Sequence, residues 1–99
     1  MYEEYLPEVV QAVPGPGLTV YVYFSDGSIR LYDAAPLVRK GGVFSRLEDG
    51  DFFREALTVL NGTVAWDVSG SFDPRTCIDI DPFDVYGAPA VADPLEPAA

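Results

Sequence analysis

The densest run of chemistry-bearing residues is Asp79-Ile80-Asp81-Pro82-Phe83-Asp84, with Asp67 and Asp73 just upstream. Grouped carboxylates suit hard cations such as calcium, and a pair held in a cleft can serve as general acid and base. The spacing is not that of the twelve-residue calcium loop, because its turn glycine and closing glutamate are both missing. Proline directly after Asp81 instead marks a helix start, with Asp81 as N-cap and Asp84 where the helix dipole favours negative charge. Capping is therefore the expected role, and no metal ligand is assigned. A small metal-dependent binder or enzyme using the Asp67–Asp84 carboxylates stands as the alternative.

Other chemistries lack their parts. Histidine is absent, which removes the commonest general base and the commonest metal ligand. Cys77 is the single cysteine, so neither an internal disulfide nor a cysteine zinc cluster can form. Without a histidine beside it, that thiol is a poor nucleophile. Pro14-Gly15-Pro16-Gly17 and Lys40-Gly41-Gly42 do not lead a strand into a long helix, so they read as turns rather than phosphate loops. No catalytic residue and no cofactor is expected.

Charge narrows the partners. Sixteen acidic residues face six basic ones, for a net charge of -10 across 99 residues. No Lys/Arg stripe exists to neutralise nucleic-acid phosphates or to engage an anionic membrane. Past Arg75 the chain carries no base at all. An acidic surface fits solubility and a basic protein partner. The first residues, Met1-Tyr-Glu-Glu-Tyr, lack the basic and apolar regions of a signal peptide, and no apolar stretch reaches bilayer length. A cytoplasmic location is expected, with no membrane contact.

Two hairpins and an amino-terminal strand should form the scaffold. Leu18-Thr-Val-Tyr-Val-Tyr-Phe24 alternates strictly before Asp26-Gly27, a pair that favours a two-residue type I′ turn. Counting outward sets Phe24 against Ile29 and Val22 against Leu31 on a core face. Tyr23 then meets Arg30 and Tyr21 meets Tyr32 on the other. Asn61-Gly62 sets Val59 against Val64 and Leu57 against Trp66. Val20, Val22, Phe24, Ile29, Leu31, Leu57, Val59, Val64 and Trp66 are expected to form one core. A strand over Glu8–Val13 precedes the hairpins. Short helical turns are expected over Ala34–Val38, over Asp51–Ala56 with Asp49 or Asp51 as cap, and after Asp81.

The expected fold is α+β: a small antiparallel sheet built from two hairpins plus the amino-terminal strand, with short helices on one face. Residues 1–86 form the single domain, and residues 87–99 read as a flexible, acidic Ala/Pro-rich tail. On the face left over, Tyr21, Tyr23, Arg30 and Tyr32 would cluster, and these residue types dominate interface centres. They are the candidate partner-binding residues. Exposed sheet edges also leave homo-oligomerisation open.

Several runs taken in order resemble a family of small bacterial proteins, the domain of unknown function 2442. They are Tyr5-Leu6-Pro7-Glu8-Val9-Val10, Phe24-Ser-Asp-Gly27 with Arg30 and Tyr32-Asp33, Pro36-Leu37, and Gly42-Val43-Phe44 with Leu47. Phe52-Phe53, Gly62-Thr-Val-Ala-Trp66 and the closing Asp79-Ile-Asp-Pro-Phe-Asp-Val-Tyr86 complete the set. The chain departs from the family between Asp67 and Ile78, where a longer stretch with Asp73-Pro74 and Cys77 replaces a short Pro-Asn-Gly segment. The resemblance implies a compact α+β fold like an amino-terminal domain that elsewhere precedes a helix-turn-helix, and no helix-turn-helix is expected after Tyr86 here. It also implies a gene neighbour from a second family, domain of unknown function 4160, in a toxin–antitoxin-like pair. The expected function is thus a non-enzymatic interaction module, the acidic antitoxin-like member of such a pair, with a small basic protein as its partner.

Overall fold

The computed structural model describes residues 7–60, 62–68 and 78–94. Strand β2, Thr19–Phe24, alternates as its sequence demands: Val20 and Val22 are wholly buried and Phe24 nearly so, while Thr19, Tyr21 and Tyr23 are half-buried. It pairs antiparallel with β1, Val9–Pro14, on one side and with β3, Ile29–Asp33, on the other. A second three-stranded sheet comprises β4, Leu57–Leu60, β5, Thr63–Trp66, and β6, Ile78–Asp79. Three short helices accompany them: α1, Ala35–Lys40, α2, Gly50–Ala56, and α3, Pro82–Tyr86. A 3-10 helix over Gly42–Glu48 links α1 to α2.

The α+β class stands, but the hairpins occupy two sheets instead of one. The connection through α1, the 3-10 helix and α2 returns the chain next to β1 rather than β3. There the Val9 amide donates to the Gly62 carbonyl at 3.0 Å. A bulge between Val9 and Gln11 interrupts β1 near this junction.

The Asn61-Gly62 hairpin has the expected register, Leu57 against Trp66 and Val59 against Val64. Gly62 takes a φ of 75°, a left-handed conformation that costs glycine little. Asn61 itself lies outside the described residues.

The first hairpin differs by one residue. Gly27 N–H donates to the Phe24 carbonyl at 3.0 Å, and Phe24 N–H donates to the Ser28 carbonyl at 2.9 Å. The loop is therefore Ser25-Asp26-Gly27, closed by Gly27 at φ 89°, a three-residue connection ending in a left-handed residue. Asp26 secures it by accepting from both the amide and the hydroxyl of Ser28, at 2.9 and 2.7 Å. The pairs become Tyr23 with Ile29, Val22 with Arg30, Tyr21 with Leu31 and Val20 with Tyr32. A one-residue slip exchanges the faces of an entire strand. Ile29 and Leu31 thus leave the expected core, and Arg30 and Tyr32 enter its side of the sheet.

One cluster unites both sheets and the helices: Val9, Val20, Val22, Phe24, Leu47, Phe53, Val64, Trp66, Ile78, Ile80 and Val85, with Leu57 and Val59 packed against it. Trp66 is fully buried, its ring centroid 5.3 Å from that of Phe53. Its Nε1–H donates to the Phe53 carbonyl at 3.0 Å. That carbonyl belongs to the last turn of α2, where no intrahelical donor remains. Asp67 N–H does the same for Ala56 at 2.9 Å. At the other end of α2, Asp49 is the N-cap and accepts from the amides of Asp51 and Phe52.

Candidate interaction site

Part of the carboxylate run has a structural role. Asp81 caps α3, accepting from Phe83 N–H at 2.9 Å, with Pro82 opening the helix and Asp84 in its first turn. Among the described residues no three Asp, Glu or Cys side chains are grouped to hold a metal ion. Asp73 and Cys77 lie outside the described residues.

The expected Tyr21, Tyr23, Arg30 and Tyr32 cluster is divided by the register. Tyr21 and Tyr23 share the outer face of the first sheet with Ile29 and Leu31, whereas Arg30 and Tyr32 lie on the core face. Arg30 is engaged internally. Its guanidinium stacks 4.3 Å from the Tyr86 ring centroid, and one terminal nitrogen donates to the Ala88 carbonyl at 3.1 Å. Its Nε is buried without a hydrogen-bond partner. Tyr86 in turn meets Phe24 edge-on at 5.0 Å and donates its hydroxyl to Asp26 at 2.7 Å. The Asp26 carboxyl is held down at about 2, chiefly by the Ser28 hydroxyl and amide, then by the Tyr86 hydroxyl. Arg30 therefore helps dock α3 on the hairpin.

The residues after Tyr86 do not form a free tail along their described length. Leu31 N–H donates to the Pro89 carbonyl at 3.0 Å, and Val91 N–H donates to the Ile29 carbonyl at 2.9 Å. Ala90 thereby sits opposite Arg30, and Tyr23 donates its hydroxyl to Asp93 at 2.7 Å. Backbone hydrogen bonds are indifferent to side-chain pattern, so an Ala/Pro-rich composition did not reveal them.

Between β3 and α3 runs an open groove of about 610 Å³, lined among others by Leu31, Tyr32, Asp33, Phe83, Asp84 and Pro89. Phe83 is 70% exposed at its margin. The two carboxylates face it and no basic side chain lines it. Tyr32 registers this environment: its hydroxyl pKa is pushed up by burial first, and then by the charges of Asp84 and Asp33. Of the sequence candidates, only Tyr32 reaches the groove. The exposure of Phe83 follows from helical geometry once Val85 is buried, since a residue two positions before it must point almost the opposite way.

The groove thus combines apolar lining from Leu31, Phe83 and Pro89 with the carboxylates of Asp33 and Asp84 on a small α+β scaffold. A family model described as "Protein of unknown function (DUF2442)" matches residues 9–88, and the chain belongs to that family. No curated protein and no solved structure matches it. Among the described residues no helix is long and apolar enough to cross a membrane.

Proposed function

We propose that this chain is a non-enzymatic interaction module whose β3–α3 groove receives a basic, partly apolar segment of a protein partner. The observation that carries this reading is Phe83, a large side chain left 70% exposed beside a groove that holds Asp33 and Asp84 and no base. An exposed aromatic gives up apolar surface on binding, and the flanking carboxylates select a cationic neighbour. The net charge of -10 steers the same class of partner at longer range. A small basic protein encoded beside this chain, in a toxin–antitoxin-like pair, fits that description.

Calorimetric titration with that basic protein tests the reading. Phe83→Ser should weaken binding by about 2 kcal/mol, as for a hot-spot aromatic. Asp33→Asn with Asp84→Asn should weaken it further and flatten its salt dependence. Asparagine can keep the bond that Asp33 accepts from Ala35 N–H, so the fold survives the change. Unaltered affinity in both variants overturns the proposal.

A further inference from the structure

In an antiparallel sheet, alternate residues of an edge strand aim both N–H and C=O outward. On β3 these include Ile29 and Leu31: Phe24 N–H donates to the Ser28 carbonyl, so the hydrogen-bonded pairs with β2 recur at Arg30 and Tyr32. The segment Ala88–Val91 lies along this edge, with Leu31 bonded to Pro89 and Val91 bonded to Ile29. It is a poor strand. A residue placed opposite Leu31 should also donate to the Leu31 carbonyl, and proline has no N–H with which to do so. The segment follows Gly87, an exposed residue at the end of α3. Helix α3 is anchored by the buried Val85 and by Tyr86, which meets Phe24 edge-on and lies under the Arg30 guanidinium. Vacating the edge costs the Arg30 bond to the Ala88 carbonyl and the Tyr23 bond to Asp93 but none of these contacts. The edge can therefore be vacated without undocking the helix.

We infer that the outer edge of β3 is a strand-addition site in which Ala88–Val91 is a displaceable placeholder. Its occupant is an extended segment of the basic partner, running antiparallel to β3. Strand addition draws affinity from main-chain bonds and specificity from neighbouring pockets; here Asp33, Phe83 and Asp84, the groove residues that stay when Ala88 and Pro89 leave, supply it. The antiparallel direction sets the segment's amino-terminal end beside Asp33, so basic residues belong there. This inference rests on the acidic-groove reading for its charge preference, while the ladder is a separate claim.

A capped hexapeptide of two lysines followed by alternating valine and threonine probes both, in titrations followed by amide hydrogen exchange on the full chain. In the free chain the Val91 and Leu31 amides should both be protected. On binding, Val91 should lose protection while Leu31 keeps it, its new acceptor being the peptide. Replacing a ladder valine of the peptide by proline should weaken binding about tenfold, the worth of one well-made hydrogen bond. Pro89→Val in the chain should weaken it about fivefold by improving the placeholder. Replacing the lysines by glutamate should also weaken it at least about fivefold, and this arm alone reads the acidic groove. Peptide binding with Val91 still protected and no proline effect overturns strand addition and leaves the groove reading intact. A chain that dimerises with Val91 deprotected before peptide is added assigns the edge to a second copy and overturns the inference. No binding at millimolar peptide overturns it as well.

Discussion

Replacing Trp66 tests the packing scheme at its most committed point. The indole is fully buried against Phe53, and its Nε1–H closes the orphan Phe53 carbonyl at the end of α2. Truncation to alanine removes the largest fully buried side chain, which costs about 3–5 kcal/mol for an aromatic in a core. It also strands a buried carbonyl, which adds about 1–3 kcal/mol unless water enters the cavity. A domain of this length has about 5–15 kcal/mol of total stability, so Trp66→Ala should stand at the margin of folding. Trp66→Phe separates the two contributions, because it retains most of the ring and loses the donor. Its cost should be about 1–3 kcal/mol. Urea unfolding should be followed by far-ultraviolet circular dichroism, since Trp66 is the only tryptophan and its fluorescence disappears with it. A loss below about 1 kcal/mol for Trp66→Ala would refute the placement of this residue at the junction of α2 and β5.

Asp81→Ala should cost roughly 1 kcal/mol through the lost cap on Phe83 N–H, and Asp81→Asn should restore most of it in the same denaturation assay. Equal losses for both would mean that charge, not capping, is the role of this side chain. Acid stability should depend on Asp26, whose folded-state pKa is lowered to about 2. A depressed carboxyl stabilises the fold above its unfolded value, and that contribution is lost as pH falls through the folded value. Melting temperatures recorded from about pH 4 to about pH 2 should therefore fall less steeply for Asp26→Asn. Parallel slopes would show that the Ser28 and Tyr86 bonds do not hold this carboxylate.

What could be read in advance depended on whether a residue's partner was near it in the chain. Leu57, Val59, Val64 and Trp66 are all apolar, whereas the other face mixes Leu60 and Ala65 with Thr58 and Thr63, so the Asn61-Gly62 turn favours that register. The helix caps Asp49 and Asp81 were legible for the same local reason. Strand β3 discriminates in the wrong direction. Its alternation sets Ile29 and Leu31 against Arg30 and Tyr32, and matching apolar to apolar favours the former for the core. The structure takes the latter because Arg30 buries its stem and stacks on Tyr86, a residue far along the chain. Nothing local announces that partner. The groove was hidden likewise, since it exists only when α3 and Pro89 come to rest against β3.

The links from β5 to the end of α2 carry a consequence for the order in which the chain folds. Helix α2 and the β4–β5 hairpin are contiguous, and Trp66 to Phe53 and Asp67 to Ala56 tie them together within one short span. Contacts that close small loops cost little chain entropy and form quickly. The stretch from Asp49 to Asp67 is therefore a natural nucleus of the domain. Closing Tyr86 onto Asp26 spans 60 residues, an event that must wait for a long loop. The β1–β3 meander is equally local, so each sheet has an early part, and the late event is the arrival of β6 and α3 that joins them.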